Sequence, residues 1–271
     1  MTGASAMDAE AEYNNRARVP ESGTIIAGWA RDAAAFRENW AEKELGIPYG
    51  PGERERLDLF RPGPGGDWPV ALFIHGGYWQ ALDRSFASHC ARGLLAHGVA
   101  VAVPSYDLCP SVALATIVEQ MRTAAGLLHR RGARRVLGMG HSAGGHLTAM
   151  LMATDWAARG LPPGLVSRGV AISGVFELWP LLGTSVGAGL RLDAAGARAL
   201  SPALLAPPEG AVLHAVVGGA ESREFRRQTR DFAAHWAGTA EELAGLDHFT
   251  VLEPLADPGS ALVERAAQLA S

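Results

Sequence analysis

The chain has 271 residues, a length that fits one large α/β domain or two small ones and allows a sizeable buried core. Its formal net charge of -4 argues against a nucleic-acid-binding protein, which needs a basic face. No apolar run approaches the roughly 18 residues of a membrane span, and the polar stretch from Met1 to Arg18 lacks the apolar core of a signal peptide. Cys90 and Cys109 allow at most one disulfide. We therefore expect a soluble, cytoplasmic protein.

The N-terminal part of the chain contains an amphipathic segment. Apolar residues recur at helical spacing between Thr24 and Lys43, which predicts a helix. This helix either packs on the body of the protein or forms a flap over an active site, and the two interpretations are compatible. Because the sequence has no internal repeat and no low-complexity tract beyond alanine richness, we predict a single domain over residues 1–271, with residues 1–50 as its N-terminal helical segment.

From residue 57 onwards, predicted strands and helices alternate. Most of the strands are short apolar runs, typical of strands buried on both faces. The alternation predicts an α/β fold with a mostly parallel central sheet and helices on both faces. The predicted strands are residues 57–61, 70–74, 99–103, 135–139, 170–172 and 211–217. The predicted helices are residues 84–96, 112–131, 146–158, 223–236 and 260–270.

The strongest functional motif is GHSAG, from Gly140 to Gly144, which lies between a predicted buried strand and a predicted helix. In this context G-x-S-x-G forms a sharp turn with a strained serine, and glycines flank the serine because a side chain there would collide with neighbouring elements. The helix behind the turn would direct its N-terminal amides towards a developing oxyanion. The motif therefore predicts Ser142 as a catalytic nucleophile rather than a residue of a merely tight turn.

A second motif, His75-Gly76-Gly77, follows the predicted strand at residues 70–74. It is an H-G-G type of oxyanion loop, and it lies upstream of the nucleophile, where such a loop is needed. We predict that the amides of Gly76 and Gly77, together with the amide of Ala143, form an oxyanion hole. His75 itself is interpreted as structural, with its ring holding the loop in place.

A catalytic base and an acid should follow the nucleophile along the chain. Among the nine histidines, His248 lies late in the chain in a loop between two structured segments, and the order serine, acid, histidine is then satisfied. Glu221 comes just after the strand at residues 211–217 and is the predicted acid. The alternative is that Glu221 is a helix-capping acid. Asp247 is a poor rival, because adjacent residues seldom bring a carboxylate to the neighbouring ring.

Five segments of the chain share features with one known family: YNNR (13–16), HGGYW (75–79), GHSAGGH (140–146), ESREF (221–225) and DHF (247–249). Together they resemble the kynurenine formamidase (arylformamidase) branch of the α/β-hydrolases, which lies near the hormone-sensitive-lipase-like esterases. The resemblance covers roughly Tyr13 to His248 and implies an α/β-hydrolase fold. It also implies hydrolysis of N-formylkynurenine to kynurenine and formate, or of related aryl formamides and small esters. One departure is Glu221, where animal members of the family carry aspartate.

The predicted substrate is a small molecule, and the predicted mechanism requires no metal or cofactor. Tyr78 and Trp79 would form an aromatic wall for an aryl leaving group, or alternatively pack the loop onto the body. Phe176 and Trp179 follow a predicted strand end and are predicted to line the same pocket. Three functions stay open: an aryl formamidase, a small-chain carboxylesterase of broad specificity, and a non-catalytic ligand-binding relative. The intact Ser142 and its partners argue against the third. The oligomeric state is open, a homodimer included.

Overall fold

The computed structural model describes residues 8–271, and the strands of this range form one eight-stranded sheet. The strand order is β1-β2-β4-β3-β5-β6-β7-β8. The pairs β1–β2 and β2–β4 are antiparallel, and the other five pairs are parallel. The strands are β1 (Lys43–Pro48), β2 (Arg56–Phe60), β3 (Val70–Ile74), β4 (Ala100–Pro104), β5 (Val136–His141), β6 (Arg168–Ile172), β7 (Val212–Gly218) and β8 (Thr239–Leu243).

Helices cover both faces of the sheet. Among the described residues, no helix is both long enough and apolar enough to cross a bilayer. The α-helices are α1 (Ala9–Tyr13), α2 (Asn15–Arg18), α3 (Ser22–Asn39), α4 (Arg92–Ala96), α5 (Leu114–Arg130), α6 (Ala143–Met152), α7 (Ser185–Ala188), α8 (Ala194–Ala199), α9 (Arg223–His235) and α10 (Ala261–Ala270). Short 3-10 segments lie at Arg84–Phe86, Ser88–Ala91, Ala157–Arg159, Trp179–Gly183, Pro202–Leu204 and Thr250–Ala256.

Alternating side chains of the central strands divide the core into two layers. In β3, Leu72 and Ile74 pack in the layer that contains α5, α6 and α9, whereas Ala71 and Phe73 pack in the layer that contains α3, α4 and α10. This follows from the two-residue period of a strand, which sends successive side chains to opposite faces. The predicted α/β class, with a mostly parallel sheet covered on both faces, is therefore confirmed.

The helices differ from their predicted bounds in three places. The helix predicted from residue 24 ends at Asn39, because the next residues become extended and Lys43 pairs with Phe60 in the sheet. The helix predicted over residues 84–96 is instead two 3-10 turns followed by the short helix α4. The helix after the serine motif begins at Ala143, directly behind the nucleophile, and ends at Met152.

The two edge strands, β1 and β8, were not predicted from the sequence. Both are partly exposed, so neither carries the continuous apolar run of a buried strand. The residues of β8, TAEEL, include two glutamates, and those of β1, KELGIP, include a glycine and a proline. Tertiary pairing overrides these weak strand propensities.

Candidate active site

The serine of the GHSAG motif lies in a sharp turn between β5 and α6. Ser142 adopts φ 55° and ψ -115°, a conformation that a side-chain-bearing residue rarely takes. Its amide donates to the carbonyl of Ile172 at 2.8 Å, which fixes the turn against β6. Ser142 is also the residue before the first turn of α6, so the amino end of that helix is directed at the site.

The flanking glycines of the turn are required by close backbone contacts. A Cβ at Gly140 would lie 2.2 Å from the carbonyl oxygen of Gly144, and a Cβ at Gly144 would lie 1.9 Å from the carbonyl oxygen of Ile74. Neither neighbour is a flexible side chain that could move aside. The motif therefore brings the nucleophile turn into van der Waals contact with β3, as the sequence predicted.

The predicted base and acid are in direct contact. Nδ1 of His248 lies 2.7 Å from Oε2 of Glu221, and both side chains are buried. The other carboxylate oxygen, Oε1, accepts from the amide of Gly218 at 2.7 Å and from Oγ of Ser173 at 2.5 Å. These two donors orient the carboxylate, so Oε2 is directed at the imidazole.

The alternative interpretation placed Glu221 before α9 as a helix-capping acid, with Ser222 as the cap and Glu224 in the first turn. Ser222 is indeed the cap, since its hydroxyl accepts from the amide of Phe225 at 3.3 Å, and Glu224 lies in the first turn. The carboxylate of Glu221 instead contacts Gly218, Ser173 and His248. Asp247 is also occupied elsewhere, because its Oδ1 accepts from the amides of Phe249 and Thr250 at 2.8 and 3.0 Å. Glu221 is therefore the carboxylate that binds the imidazole of His248.

Ser142 and His248 line the same pocket. The hydrogen bonds within residues 8–271 do not include one from Oγ of Ser142 to the imidazole of His248, and such bonds often form fully only when substrate is bound. The ring of His248 is held between the rings of Phe225 and His141, with centroid distances of 4.7 and 4.8 Å. The base is thus fixed by packing as well as by its carboxylate.

Gly76, one of the predicted oxyanion donors, lies beside the serine. A Cβ built on Gly76 would lie 3.2 Å from Cβ of Ser142, so the loop passes directly over the nucleophile. The amides of Gly76, Gly77 and Ala143 donate to no acceptor in the described part of the chain. Amides without a partner at a helix start or in a glycine loop are the donors that an oxyanion requires.

His75 holds the oxyanion loop in place. Its ring stacks on Tyr106 at a centroid distance of 4.3 Å, and Nδ1 lies 2.7 Å from the carbonyl oxygen of Gly76. The hydroxyl of Tyr106 donates to the carbonyl of His75 at 3.0 Å. Burial lowers the pKa of His75 to about 4, so the ring is neutral near pH 7. These contacts agree with a structural role.

The two aromatic residues after the loop have different roles. Tyr78 lines the pocket, and its hydroxyl donates to the carbonyl of Tyr13 at 2.5 Å. Trp79 is completely buried and packs edge-on against His146 at a centroid distance of 4.9 Å. Tyr78 therefore forms part of the wall, whereas Trp79 anchors the loop to the body.

Phe176 and Trp179 were predicted in this pocket, but the structure does not bring them there. Phe176 is fully buried and stacks on Phe232 at 4.0 Å, whereas Trp179 is 54% exposed and lies near Arg198. The reason lies in the loop after β6. Its amides at residues 176 and 177 donate to Oε1 of Gln228, which draws the loop towards α9 and away from the serine.

Several pocket residues were missed by the sequence reasoning. The N-terminal segment contributes both α2 and α3, and the segment YNNR, which carried part of the family resemblance, was the available signal for it. His141 was noted only as a neighbour of the serine. Burial first, and then the adjacent His248, holds its pKa well below the ordinary value, so it is neutral. The additional lining residues are Asn14, Asn15, Arg16, Ile26, Trp29, Leu82, His141, Val186 and Phe249.

We searched the described residues for side chains that could together bind a metal ion. Within residues 8–271, no group of three or more histidine, cysteine, aspartate or glutamate side chains is arranged to hold a metal ion.

Comparison with known proteins decides the family. The chain is 32% identical to a kynurenine formamidase of Salmo salar over 80% of its own length and 78% of the relative's length. The chain belongs to the kynurenine formamidase family. Residues 57–160 also match the BD-FAE family. The resemblance seen in the five sequence segments is thus confirmed, and the protein is a hydrolase.

Solved structures agree with this assignment. A protein from Silicibacter sp. tm1040, provisionally described as a thioesterase, is 36% identical with a TM-score of 0.88, covering 96% of this chain and 98% of the other. A thermostable carboxylesterase from a metagenomic library is 21% identical with a TM-score of 0.71, covering 91% and 94% of the two chains. This chain therefore has the fold of these two proteins, which is the α/β-hydrolase fold that the sequence predicted.

Proposed function

We propose that this protein hydrolyses aryl formamides such as N-formylkynurenine, releasing kynurenine and formate, through an acyl-enzyme on Ser142. The observation that carries the proposal is the buried Glu221–His248 pair, 2.7 Å apart, beside the pocket that Ser142 lines. A histidine whose Nδ1 is bound by a carboxylate presents Nε2 as a base, and this is the group that a serine nucleophile needs. The kynurenine formamidase relative supplies the substrate class.

In the first half-reaction, Nε2 of His248 takes the Ser142 proton while Oγ attacks the formyl carbon. The tetrahedral oxyanion accepts hydrogen bonds from the amides of Gly76, Gly77 and Ala143. Glu221 stabilises the imidazolium, which then gives its proton to the leaving aryl amine as the C–N bond breaks. The products of this step are the free aryl amine and a formyl ester of Ser142.

In the second half-reaction, water attacks the formyl ester. His248 removes a proton from this water, and the same amides stabilise the second oxyanion. Collapse of the intermediate returns the proton to Oγ of Ser142 and releases formate. Both half-reactions use the same three side chains, so loss of any one of them should lower turnover by several orders of magnitude.

A kinetic comparison with a probe-labelling control tests this function. The purified chain is assayed with N-formylkynurenine, p-nitrophenyl acetate and a short-chain acyl thioester, and kcat/KM is ranked. The proposal expects N-formylkynurenine to rank first. It also expects a fluorophosphonate probe to label the wild type and not Ser142→Ala. A wild type that is labelled but prefers an ester or thioester would refute the formamidase assignment while keeping the serine mechanism.

Short-chain ester or thioester hydrolysis is the second candidate function. It is favoured by the Silicibacter relative, which is similar over almost the whole of both chains and is provisionally described as a thioesterase. The same nucleophile, base and oxyanion donors would serve either reaction, because all of these substrates pass through a tetrahedral oxyanion. The ranking of kcat/KM above separates the candidates.

The proposal extends to the domain organisation and the cellular location of the enzyme. We propose a single domain in which residues 1–50 cover the active site, supported by the contributions of Asn15 and Trp29 to the pocket wall. We also propose a cytoplasmic location, supported by Cys90 and Cys109, which are both buried free thiols and therefore suit a reducing compartment. The homodimer stays a prediction.

A further inference from the structure

One cation lies at the pocket wall without a partner. Arg16 of α2 lines the pocket, is exposed, and forms no hydrogen bond or ion pair with any other residue in the range 8–271. The pocket wall, as far as the structure describes it, contains no aspartate or glutamate. An anionic group that enters the pocket would therefore meet a positive charge on its wall. The nearest carboxylates lie behind the wall and already have partners, since Glu10 accepts from Asn14 and Ser185 and Glu221 binds His248.

Arg16 is the arginine that lines this pocket among the described residues, and two other arginines near the N-terminal segment have partners. Arg227 binds Glu224 and Glu177 at 2.8 and 2.7 Å, and Arg18, on the same short helix as Arg16, donates to the carbonyl of Ala11 at 3.5 Å. An arginine guanidinium matches a carboxylate in geometry and can bind it with two parallel hydrogen bonds. The unpartnered guanidinium at the pocket is thus available for a ligand.

The segment that carries Arg16 is held firmly over the pocket. Tyr13 is buried, and its hydroxyl donates to Oε1 of Glu224 at 2.8 Å. Two residues further on, Asn15 is also buried, and its side chain donates to the hydroxyl of Tyr78 at 3.4 Å. Because these anchors lie on either side of Asn14, the backbone that leads to Arg16 has a defined position relative to the nucleophile.

Aromatic side chains line the same pocket as this cation. Trp29 and Phe249 both line the pocket, with ring centroids 6.0 Å apart, and Trp29 also contacts the ring of His141 at 6.1 Å. Such a wall suits an aryl ring. The pocket thus combines a nucleophile, an aromatic wall and a cation in one cavity.

We propose that Arg16 binds the carboxylate of the substrate and selects aryl formamides that carry an amino-acid side chain. The inference rests on the proposed function and adds a specificity-determining residue to it. N-formylkynurenine has its formamide on the aromatic ring and a carboxylate at the far end of the attached side chain, so the two groups need separate sites. Arg16 supplies the second site, remote from the scissile bond.

A pair of substrates and a pair of variants test this role. The substrates are N-formylkynurenine and 2′-formamidoacetophenone, which has the same aryl formamide but no amino acid. Arg16→Gln should lower kcat/KM for N-formylkynurenine about 10-fold, mainly through a higher KM, because it removes a charged hydrogen bond made in the ground state as well as in the transition state. The kcat/KM for 2′-formamidoacetophenone should change less than about 2-fold, since this substrate has no group for Arg16 to bind.

The matched control is Arg18→Gln, which removes the same charge from the same helix without touching the pocket, and it should leave both substrates unchanged. Arg16→Lys should recover part of the loss. Equal effects of Arg16→Gln on both substrates, or none on either, would overturn the role of Arg16 while leaving the formamidase function intact. A wild type that cleaves 2′-formamidoacetophenone better than N-formylkynurenine would overturn the carboxylate site, and one that cleaves neither would overturn the formamidase function as well.

Discussion

The sharpest consequence of the site geometry concerns the substitution Glu221→Gln. In the wild type, Oε1 accepts from the amide of Gly218 and from the hydroxyl of Ser173, while Oε2 accepts from Nδ1 of His248. A glutamine must keep its oxygen towards Gly218, because a backbone amide can only donate. Its NH₂ group then faces Nδ1 of His248, so Nδ1 must act as an acceptor and the proton must move to Nε2.

This change of tautomer removes the base. With its proton on Nε2, His248 has no lone pair to accept the proton of Ser142. In serine proteases, the equivalent aspartate-to-asparagine change lowers kcat about 10⁴-fold for this reason. We expect a loss of about 10³- to 10⁴-fold, or about 4–5.5 kcal/mol of transition-state stabilisation. Rotating the amide would restore the tautomer but place an NH₂ group against the Gly218 amide, which costs about 1–3 kcal/mol.

The assay is kcat on an aryl formamide or aryl ester at pH 7, together with the melting temperature of each variant. Asp247→Asn is the matched control, since its Oδ1 bonds to the amides of Phe249 and Thr250 survive the change. We expect it to stay within about threefold of the wild type, because no catalytic contact is lost. If Glu221→Gln were folded and within about tenfold of the wild type, Glu221 would not be the residue that orients His248.

The remaining predictions concern the oxyanion loop, the N-terminal anchor and pH. Gly77→Ala should lower kcat and should destabilise the fold more than Gly98→Ala does. Both glycines have positive φ, but only at Gly77 would an added Cβ lie 2.3 Å from a backbone oxygen. Chemical denaturation and kcat measurements of the two variants test this difference. Tyr13→Phe should raise KM and cost about 1–3 kcal/mol, since it leaves the buried Glu224 carboxylate short of a donor; an unchanged KM and unfolding free energy would show that Tyr13 does not hold the segment. Burial lowers the pKa of both His75 and His146 to about 4, below the ordinary value of 6.5. Between these two pH values the unfolded chain therefore binds more protons than the folded chain. The unfolding free energy should then fall as pH is lowered from about 6.5 towards 4. Urea unfolding at pH 7, 6 and 5 measures this, and His75→Phe should make the pH dependence less steep.

The chemistry of the site was readable because each part is tied to the end of a strand. The GHSAG turn predicts its own geometry, since only glycine fits where Gly140 and Gly144 contact backbone. His248 and Glu221 were found by chain order and by the position of Glu221 after β7. In a parallel sheet such strand ends meet at one edge, so residues far apart in sequence can be placed together without knowing the loops.

The walls of the pocket could not be read in this way. Phe176 follows β6 as predicted. However, the side chain of Gln228 accepts hydrogen bonds from two amides of this loop and draws the loop towards α9. No periodicity in the sequence signals a contact of this kind. The edge strands β1 and β8 escaped prediction for a related reason, because partly exposed strands owe their structure to their neighbours rather than to an apolar run.

The residues at the strand ends could be predicted and those of the pocket wall could not, and this difference has a physical origin. Strand ends of the sheet supply the proposed nucleophile, the proposed acid and the proposed oxyanion loop. Their positions are constrained by backbone hydrogen bonds that any sequence of this fold must form. The residues that would choose the substrate, above all Arg16, lie on a segment held by side chains such as Tyr13 and Glu224, which have no counterpart in the sheet. A substitution of Arg16 should therefore change which compound is bound while leaving the Glu221–His248 contact in place, since Arg16 forms no hydrogen bond to either residue.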